Sequence, residues 1–219
     1  MCGRFSLEEY PKTILEDFDL PTFPRYSAEE FTPKYNIAPS ANILTIFKSE
    51  DDYELAEMSW GLVPPWAKPG QFKQPLINAR SETVWEKPSF KNLIKSKRCI
   101  ILASGFYEWN RSESPKQPYR VTINEQRFVA MAGIYQVSKE GELQSCIITM
   151  QANEKMAKIH HRMPVMLKGE DKHHWLDVDQ QDKVNEVIKA SSQPDVELHK
   201  VSAYVNNARN QGAECIQPV

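Results

Sequence analysis

The run Cys99-Ile100-Ile101-Leu102-Ala103-Ser104-Gly105-Phe106-Tyr107-Glu108-Trp109 holds two strand signals in eleven residues. Residues 99–103 are apolar and rich in β-formers, and 106–109 are aromatic around one carboxylate. Further strand candidates follow at 119–123, 128–135 and 143–150, separated by polar turns at 111–117 and 139–141. Upstream, 43–47 and 54–60 read as a hairpin around the acidic turn Ser49-Glu50-Asp51-Asp52. Residues 76–83 alternate and read as extended, and 164–167 and 198–202 read as short strands. Helical signals are shorter and peripheral. Ser6-Leu7-Glu8-Glu9 fits a capping box opening a helix to about Phe18, with Pro11 in its first turn or so. Helices are also expected at 89–97, 153–159, 169–176 and 180–190, the last with Asp179 as N-cap and Val184, Val187 and Ile188 on one face. Residues 19–42, the Pro- and Gly-rich loop 61–74 that carries Trp66, and the tail 205–219 read as irregular. The expected fold is α+β, one domain over 1–219, mostly antiparallel and barrel-like with peripheral helices.

The 219 residues can bury a substantial core. With 41% hydrophobic and 26% charged residues, composition is that of a soluble globular protein. A formal net charge of −2 excludes a generic basic nucleic-acid coat, so any polyanion must meet a local arginine cluster. The cysteines, Cys2, Cys99, Cys146 and Cys215, are widely spaced with no C-x-x-C. They are expected to be reduced thiols in an intracellular setting. No signal peptide is evident, and no run approaches the roughly 20 apolar residues of a membrane span. Zinc-motif, Walker A, dinucleotide-binding and nucleophile-elbow patterns are missing, so neither metal nor cofactor is expected.

The chain begins Met1-Cys2-Gly3-Arg4-Phe5. If Met1 is removed, Cys2 carries an α-amine (pKa about 7.7–8.0) beside a thiol (about 8.5), and both have nucleophilic fractions near neutral pH. Such an aminothiol can attack an acyl carbon with the amine as its base. It can also condense with an aldehyde, the amine forming an imine and the thiol closing a thiazolidine. Asn78, Arg80 and Glu82 share one face of an extended segment, either a solvated sheet face or one wall of a cleft. Glu108, set among three aromatics, is a candidate proton-transfer group if desolvated, or an edge glutamate if not. Of His160 and His161, at the end of the 153–159 helix, only one need act as an acid–base. His173-His174 is expected to face solvent.

Together these segments resemble the SOS-response-associated peptidase (SRAP) family. The matching blocks are MCGRF at 1–5, YNIAPS at 35–40, WGLVPPW at 60–66, INARSET at 77–83, CIILASGFYEW at 99–109, AGIY at 132–135, IHHRMPV at 159–165 and NQGAECIQPV at 210–219. The resemblance implies that Met1 is removed by autocatalysis, and that Cys2 forms a covalent thiazolidine with the ring-opened aldehyde of an abasic site in single-stranded DNA. It implies further that Asn78 holds the amine or the sugar, Glu108 moves protons for ring opening and reversal, and His160 serves as acid–base on the imine and sugar oxygen. Arg4, Arg80 and Arg162 match phosphate-contacting positions, and Trp66 matches a loop that stacks on bases at a duplex end. Some members carry adjacent tryptophans there, where this chain has one.

The partner so implied is single-stranded DNA with an abasic site, with single-strand/duplex junctions as an extension. No membrane is implied, and a monomer suffices. The expected location is the cytoplasm, or nucleoid or nucleus according to host. Two rival readings stand beside it. An N-terminal-nucleophile amidohydrolase or peptidase would form an acyl-enzyme. A non-covalent single-stranded DNA-binding module would not need Cys2.

Overall fold

The computed structural model describes residues 2–18, 20, 31–49, 52–68, 74–124, 126–191 and 194–219. Along the chain run β1 (Phe5–Leu7), α1 (Lys12–Glu16), β2 (Lys34–Ile37), β3 (Asn42–Ser49), β4 (Asp52–Trp60), β5 (Asn78–Arg80), α2 (Leu93–Ser96), β6 (Arg98–Ala103), β7 (Gly105–Asn110), β8 (Gln117–Ile123), β9 (Val129–Val137), β10 (Leu143–Gln151), α3 (Glu154–Ala157), β11 (Arg162–Pro164), β12 (Met166–Leu167), α4 (Asp171–Leu176), α5 (Gln181–Ala190) and β13 (Val196–Lys200). Short 3-10 turns follow at Ala203–Asn206 and Ala213–Cys215.

Strands β4, β3, β6, β9 and β10 pair in that order, and β10 closes on β4, making a barrel. All these pairings are antiparallel except the parallel β10–β4 closure. Beyond that closure β5 continues alongside β10, with Asn78 opposite Ile147 and Arg80 opposite Thr149. β11 flanks the same end of β10, with Arg162 opposite Gln151. A second, antiparallel sheet has the order β13-β8-β7-β1-β2. The expected α+β, barrel-like architecture is therefore what the chain adopts.

The stretch 99–109 connects the two sheets. Residues 98–103 form β6 in the barrel, Ser104 turns the corner, and 105–110 form β7 in the second sheet. Every residue of β6 is buried. This is why it reads as a continuous apolar run: a strand covered on both faces has no solvent side to mark by alternation. Where β6, β9 and β10 meet, a Cβ on Gly133 would stand 2.9 Å from both Cys99 Sγ and Ile101 Cδ1. A larger residue there would force those buried side chains to shift.

Several local expectations are corrected. Ser6 does not cap a helix: it lies in β1, fully buried, with its hydroxyl donating to the Gly105 carbonyl at 3.3 Å. The helix that follows is only Lys12–Glu16, preceded by Pro11. Pairing with β7 outweighs the local capping signal because Phe5 and Leu7 bury their side chains that way. Part of 19–42 is strand β2; positions 19 and 21–30 lie outside the described residues. The tip of the β3–β4 hairpin, 50–51, also lies outside them. Helix α5 begins at Gln181 with no side-chain cap, and Asp179 instead donates its backbone N–H to the Asp177 carboxylate at 3.1 Å. His173 is half-buried and partnered: its ring packs 4.5 Å from that of Phe18 and its Nδ1 meets Tyr53 Oη at 3.2 Å. Among the described residues no helix is long and apolar enough to cross a membrane.

One buried cation ties α2 and α4 to the barrel. Arg98, at the start of β6, donates to the Ile94 and Lys95 carbonyls at 2.8 and 2.9 Å and to those of Trp175 and Asp177. These are carbonyls at the C-terminal ends of two helices, which lack intrahelical partners and carry partial negative charge. Burial draws the Arg98 pKa down to about 10, which leaves it charged at neutral pH. Arg98→Met would keep the packing volume and strand those carbonyls. The expected loss is about 2–4 kcal/mol of unfolding free energy in urea titration. A loss under about 0.5 kcal/mol would contradict the double-capping role.

Candidate active site

The amino-terminal segment is threaded between the two sheets rather than frayed. Phe5 pairs with Phe106 and Ser6 with Gly105, while Tyr107 N donates to Arg4 O at 2.9 Å and Ser104 N to Ser6 O at 2.7 Å. The Phe5 ring meets Trp60 of the barrel edge to face, centroids 5.0 Å apart. Trp60 Nε1 in turn donates to Ile77 O at 3.0 Å, which fixes the residue just before β5. Asn78, the first residue of β5, donates through Nδ2 to the Cys2 carbonyl at 2.8 Å. Its Oδ1 is buried and has no hydrogen-bond partner among the described residues. Cys2 itself is fully buried.

Continuing the β1–β7 register past Phe5 brings the Cys2 end of the segment to Glu108. Glu108 is 4% exposed and His160 5% exposed, with His160 Nδ1 3.9 Å from Glu108 Oε1. That separation is too long for a hydrogen bond. His160 Nδ1 lies against the Arg162 backbone, 3.0 Å from its N and 3.2 Å from its O, so the ring's tautomer decides whether it accepts or donates there. Cys2, Asn78, Glu108 and His160 thus come from four separate segments into one buried locale. His161 is exposed and stacks on His160, ring centroids 4.4 Å apart.

Burial dominates the electrostatics. It raises the Glu108 carboxyl above its usual range, a shift that the positive charges of the chain's amino terminus and Arg111 partly oppose. It pushes His160 down to about 4, in the same sense as the amino-terminal charge. It drives the Cys2 thiol far up, and the Glu108 charge adds to this. The thiol is therefore not the ordinary solvated group the sequence suggests. It holds its proton until a neighbouring base takes it.

The three arginines differ. Arg80 is exposed. Arg162 is 7% exposed and donates through Nη1 and Nη2 to the two Glu82 oxygens at 2.6 and 2.9 Å, and through Nη2 to Thr149 O at 2.7 Å. Arg4 donates through Nη1 to Asn36 Oδ1 at 2.7 Å and Val205 O at 3.0 Å, with its guanidinium 5.8 Å from the Trp109 ring centroid. Trp66 is 52% exposed, on a turn closed by Ala67 N donating to Pro64 O at 2.9 Å.

Sequence reasoning assigned no role to Asn36. It is buried, and its Nδ2 donates to the carbonyls of Val205, Asn207 and Asn210 at 3.3, 3.0 and 2.9 Å. Gln211 completes the clasp, donating to Asn36 O and accepting from Tyr35 N and Asn36 N. The carboxy-terminal segment and Arg4 are thereby locked together. The only signal was a polar residue between Tyr35 and Ile37 in a short apolar run.

A family model described as SOS response associated peptidase (SRAP) matches residues 1–208. Abasic site processing protein YoqW of Bacillus subtilis (strain 168) is 41% identical, with 99% of each chain covered. Abasic site processing protein YedK of Escherichia coli (strain K12) is 33% identical over 100% of both chains. Abasic site processing protein HMCES of Xenopus tropicalis is 32% identical over 100% of this chain and 78% of its own. Among solved structures, a Bacteroides thetaiotaomicron protein aligns with TM-score 0.81 and 22% identity over the full length of both chains, a likeness of fold.

The buried histidine gives a signed pH prediction. Its folded pKa, about 4, lies below the ordinary value of about 6.5, so on acidification the unfolded chain takes up the proton first. The His160 contribution to stability is present in full above about pH 6.5 and is lost as pH falls towards 4. Glu108 acts with the opposite sign, because its raised carboxyl favours the fold as it protonates. In a histidine NMR titration the His160 ring should stay neutral to about pH 4. A midpoint near 6.5 would contradict the burial.

Proposed function

The chain belongs to the SOS response associated peptidase (SRAP) family, and on that premise we propose that it captures abasic sites in single-stranded DNA as a covalent thiazolidine on Cys2. The names of its relatives support abasic-site processing, and the seating of Cys2 supports the chemistry. The observation that carries the reading is the grip of Asn78 on Cys2. One atom of that amide holds the Cys2 carbonyl, and the other is a buried acceptor with no partner among the described residues.

Hydrolysis of the Met1–Cys2 bond frees the Cys2 amine. The Asn78 Oδ1 acceptor then suits the new ammonium, held on the residue whose carbonyl the same side chain already grips. The amine adds to the aldehyde carbon of the ring-opened sugar, and the carbinolamine loses one water to give the imine. The raised Glu108 carboxyl carries a proton at higher pH than an ordinary glutamate, which suits it to protonate the departing hydroxyl. The thiol then gives its proton to a base of the site and closes on the imine carbon. The net change is aldehyde plus aminothiol to thiazolidine plus one water. His160, held neutral by burial, suits proton traffic at the sugar oxygen.

Phosphates meet Arg80 first, since it is the exposed member of the arginine set. Trp66, 52% exposed, offers a base-stacking surface. The single domain over 1–219, removal of Met1 and action as a monomer are parts of the same proposal.

The test mixes the purified protein with a single strand bearing one abasic site and resolves the products on a denaturing gel. A shifted band should form with the wild type and be absent with Cys2→Ala. Asn78→Ala should slow its formation by roughly 10- to 100-fold through loss of positioning. Arg80→Ala should weaken binding and reduce the salt slope by about one unit. Equal crosslinking by Cys2→Ala would sink the mechanism. An acyl adduct in place of the sugar adduct would favour the amidohydrolase reading.

A further inference from the structure

Arg162 and Arg80 flank the same end of β10, and a carboxylate lies between them. Glu82, two residues past Arg80, receives both terminal nitrogens of Arg162 at 2.6 and 2.9 Å. Its own carboxyl is held below the usual range by that hydrogen bonding, with a further pull from the charges of Arg162 and Arg80. The two partners differ in solvation: the Arg162 side chain is 8% exposed and that of Glu82 48%.

An ionised guanidinium buried this deeply is costly without a counter-ion. The free protein therefore needs Glu82. Yet Glu82 stands half in water, so its release restores hydration cheaply. The guanidinium does not depend on it for position. Arg162 Nη2 also donates to Thr149 O at 2.7 Å, and the same carbonyl accepts Ser81 N at 2.8 Å. A guanidinium fixed from behind, with its paired donors covered by an anion of matching bite, suits bidentate exchange between carboxylate and phosphate.

We propose that Glu82 is a built-in competitor for DNA phosphate at Arg162. It occupies the guanidinium in the free protein and is displaced by a backbone phosphate when single-stranded DNA binds. It thereby weakens binding to undamaged strands and keeps the site accessible. Because the carboxyl stays ionised well below neutral pH, exchange is driven by the phosphate and not by protonation. The inference rests on the proposed DNA-binding reading and deepens it.

The test measures equilibrium binding of an undamaged single strand by fluorescence anisotropy across a salt series. Glu82→Gln should bind roughly three- to tenfold tighter at low salt, with a log–log salt slope steeper by up to about one unit. In an Arg162→Gln background the same substitution should lose most of that gain. Weaker or unchanged binding by Glu82→Gln would make Glu82 a fixed buttress and overturn the proposal. If that variant does not fold, carboxyl NMR of the wild type decides instead. The Glu82 pKa should rise towards about 4.3 on saturation with the strand, and an unmoved value overturns the proposal. Crosslinking of an abasic strand by the wild type in parallel separates the two ideas, because failure of that control rejects the function itself and not the competition.

Discussion

The site depends on one constraint, the seating of residues 2–7 between the barrel and the second sheet. Tyr107 N, Ser104 N and Asn78 Nδ2 each hold a carbonyl of that segment, at 2.9, 2.7 and 2.8 Å. Phe5 anchors it against Trp60. A chain end ordinarily loses its order to entropy. Here backbone pairing and aromatic burial hold it, so the second residue of the chain has a defined place. On the proposed reading, that seating would turn a flexible aminothiol into a positioned one, the condition for efficient capture of a carbonyl.

The same burial separates the titratable groups. Glu108 moves up and His160 moves down, although their nearest atoms are 3.9 Å apart. Desolvation disfavours the charged form of each, so the carboxyl is shifted upward and the imidazole downward. The buried thiol fits this arrangement, since it stays protonated until a base is ready. Farther out, Arg162 and Arg4 are held by protein groups while Arg80 faces solvent.

Much of the fold was legible because strands covered on both faces, such as β6, leave continuous apolar runs, and hairpins leave polar turns. The capping-box reading of Ser6 failed for an opposite reason. The pattern was locally valid, but the competing partner, β7, lies about a hundred residues away and leaves no trace near Ser6. The same holds for Asn36, whose partners begin at Val205. Cys2, Asn78, Glu108 and His160 could each be nominated as reactive side chains in apolar surroundings. Their convergence could not be read from spacing, because register alone brings them together. The choice between His160 and His161 was likewise open until burial separated them. Glu82 was visible only as a neighbour of Arg80 on one face; its hold on Arg162 needed β10 to bring β5 and β11 side by side.

The central claim is that a seated, processed amino terminus joins its amine and thiol to a sugar aldehyde. Intact-mass spectrometry of the boiled wild-type adduct with an abasic oligonucleotide tests it most directly. The expected mass is that of the chain without its initiator methionine, plus the oligonucleotide, minus one water, with peptide mapping placing the junction on Cys2. A covalent adduct that retains Met1, or one joined at any other residue, would contradict the account.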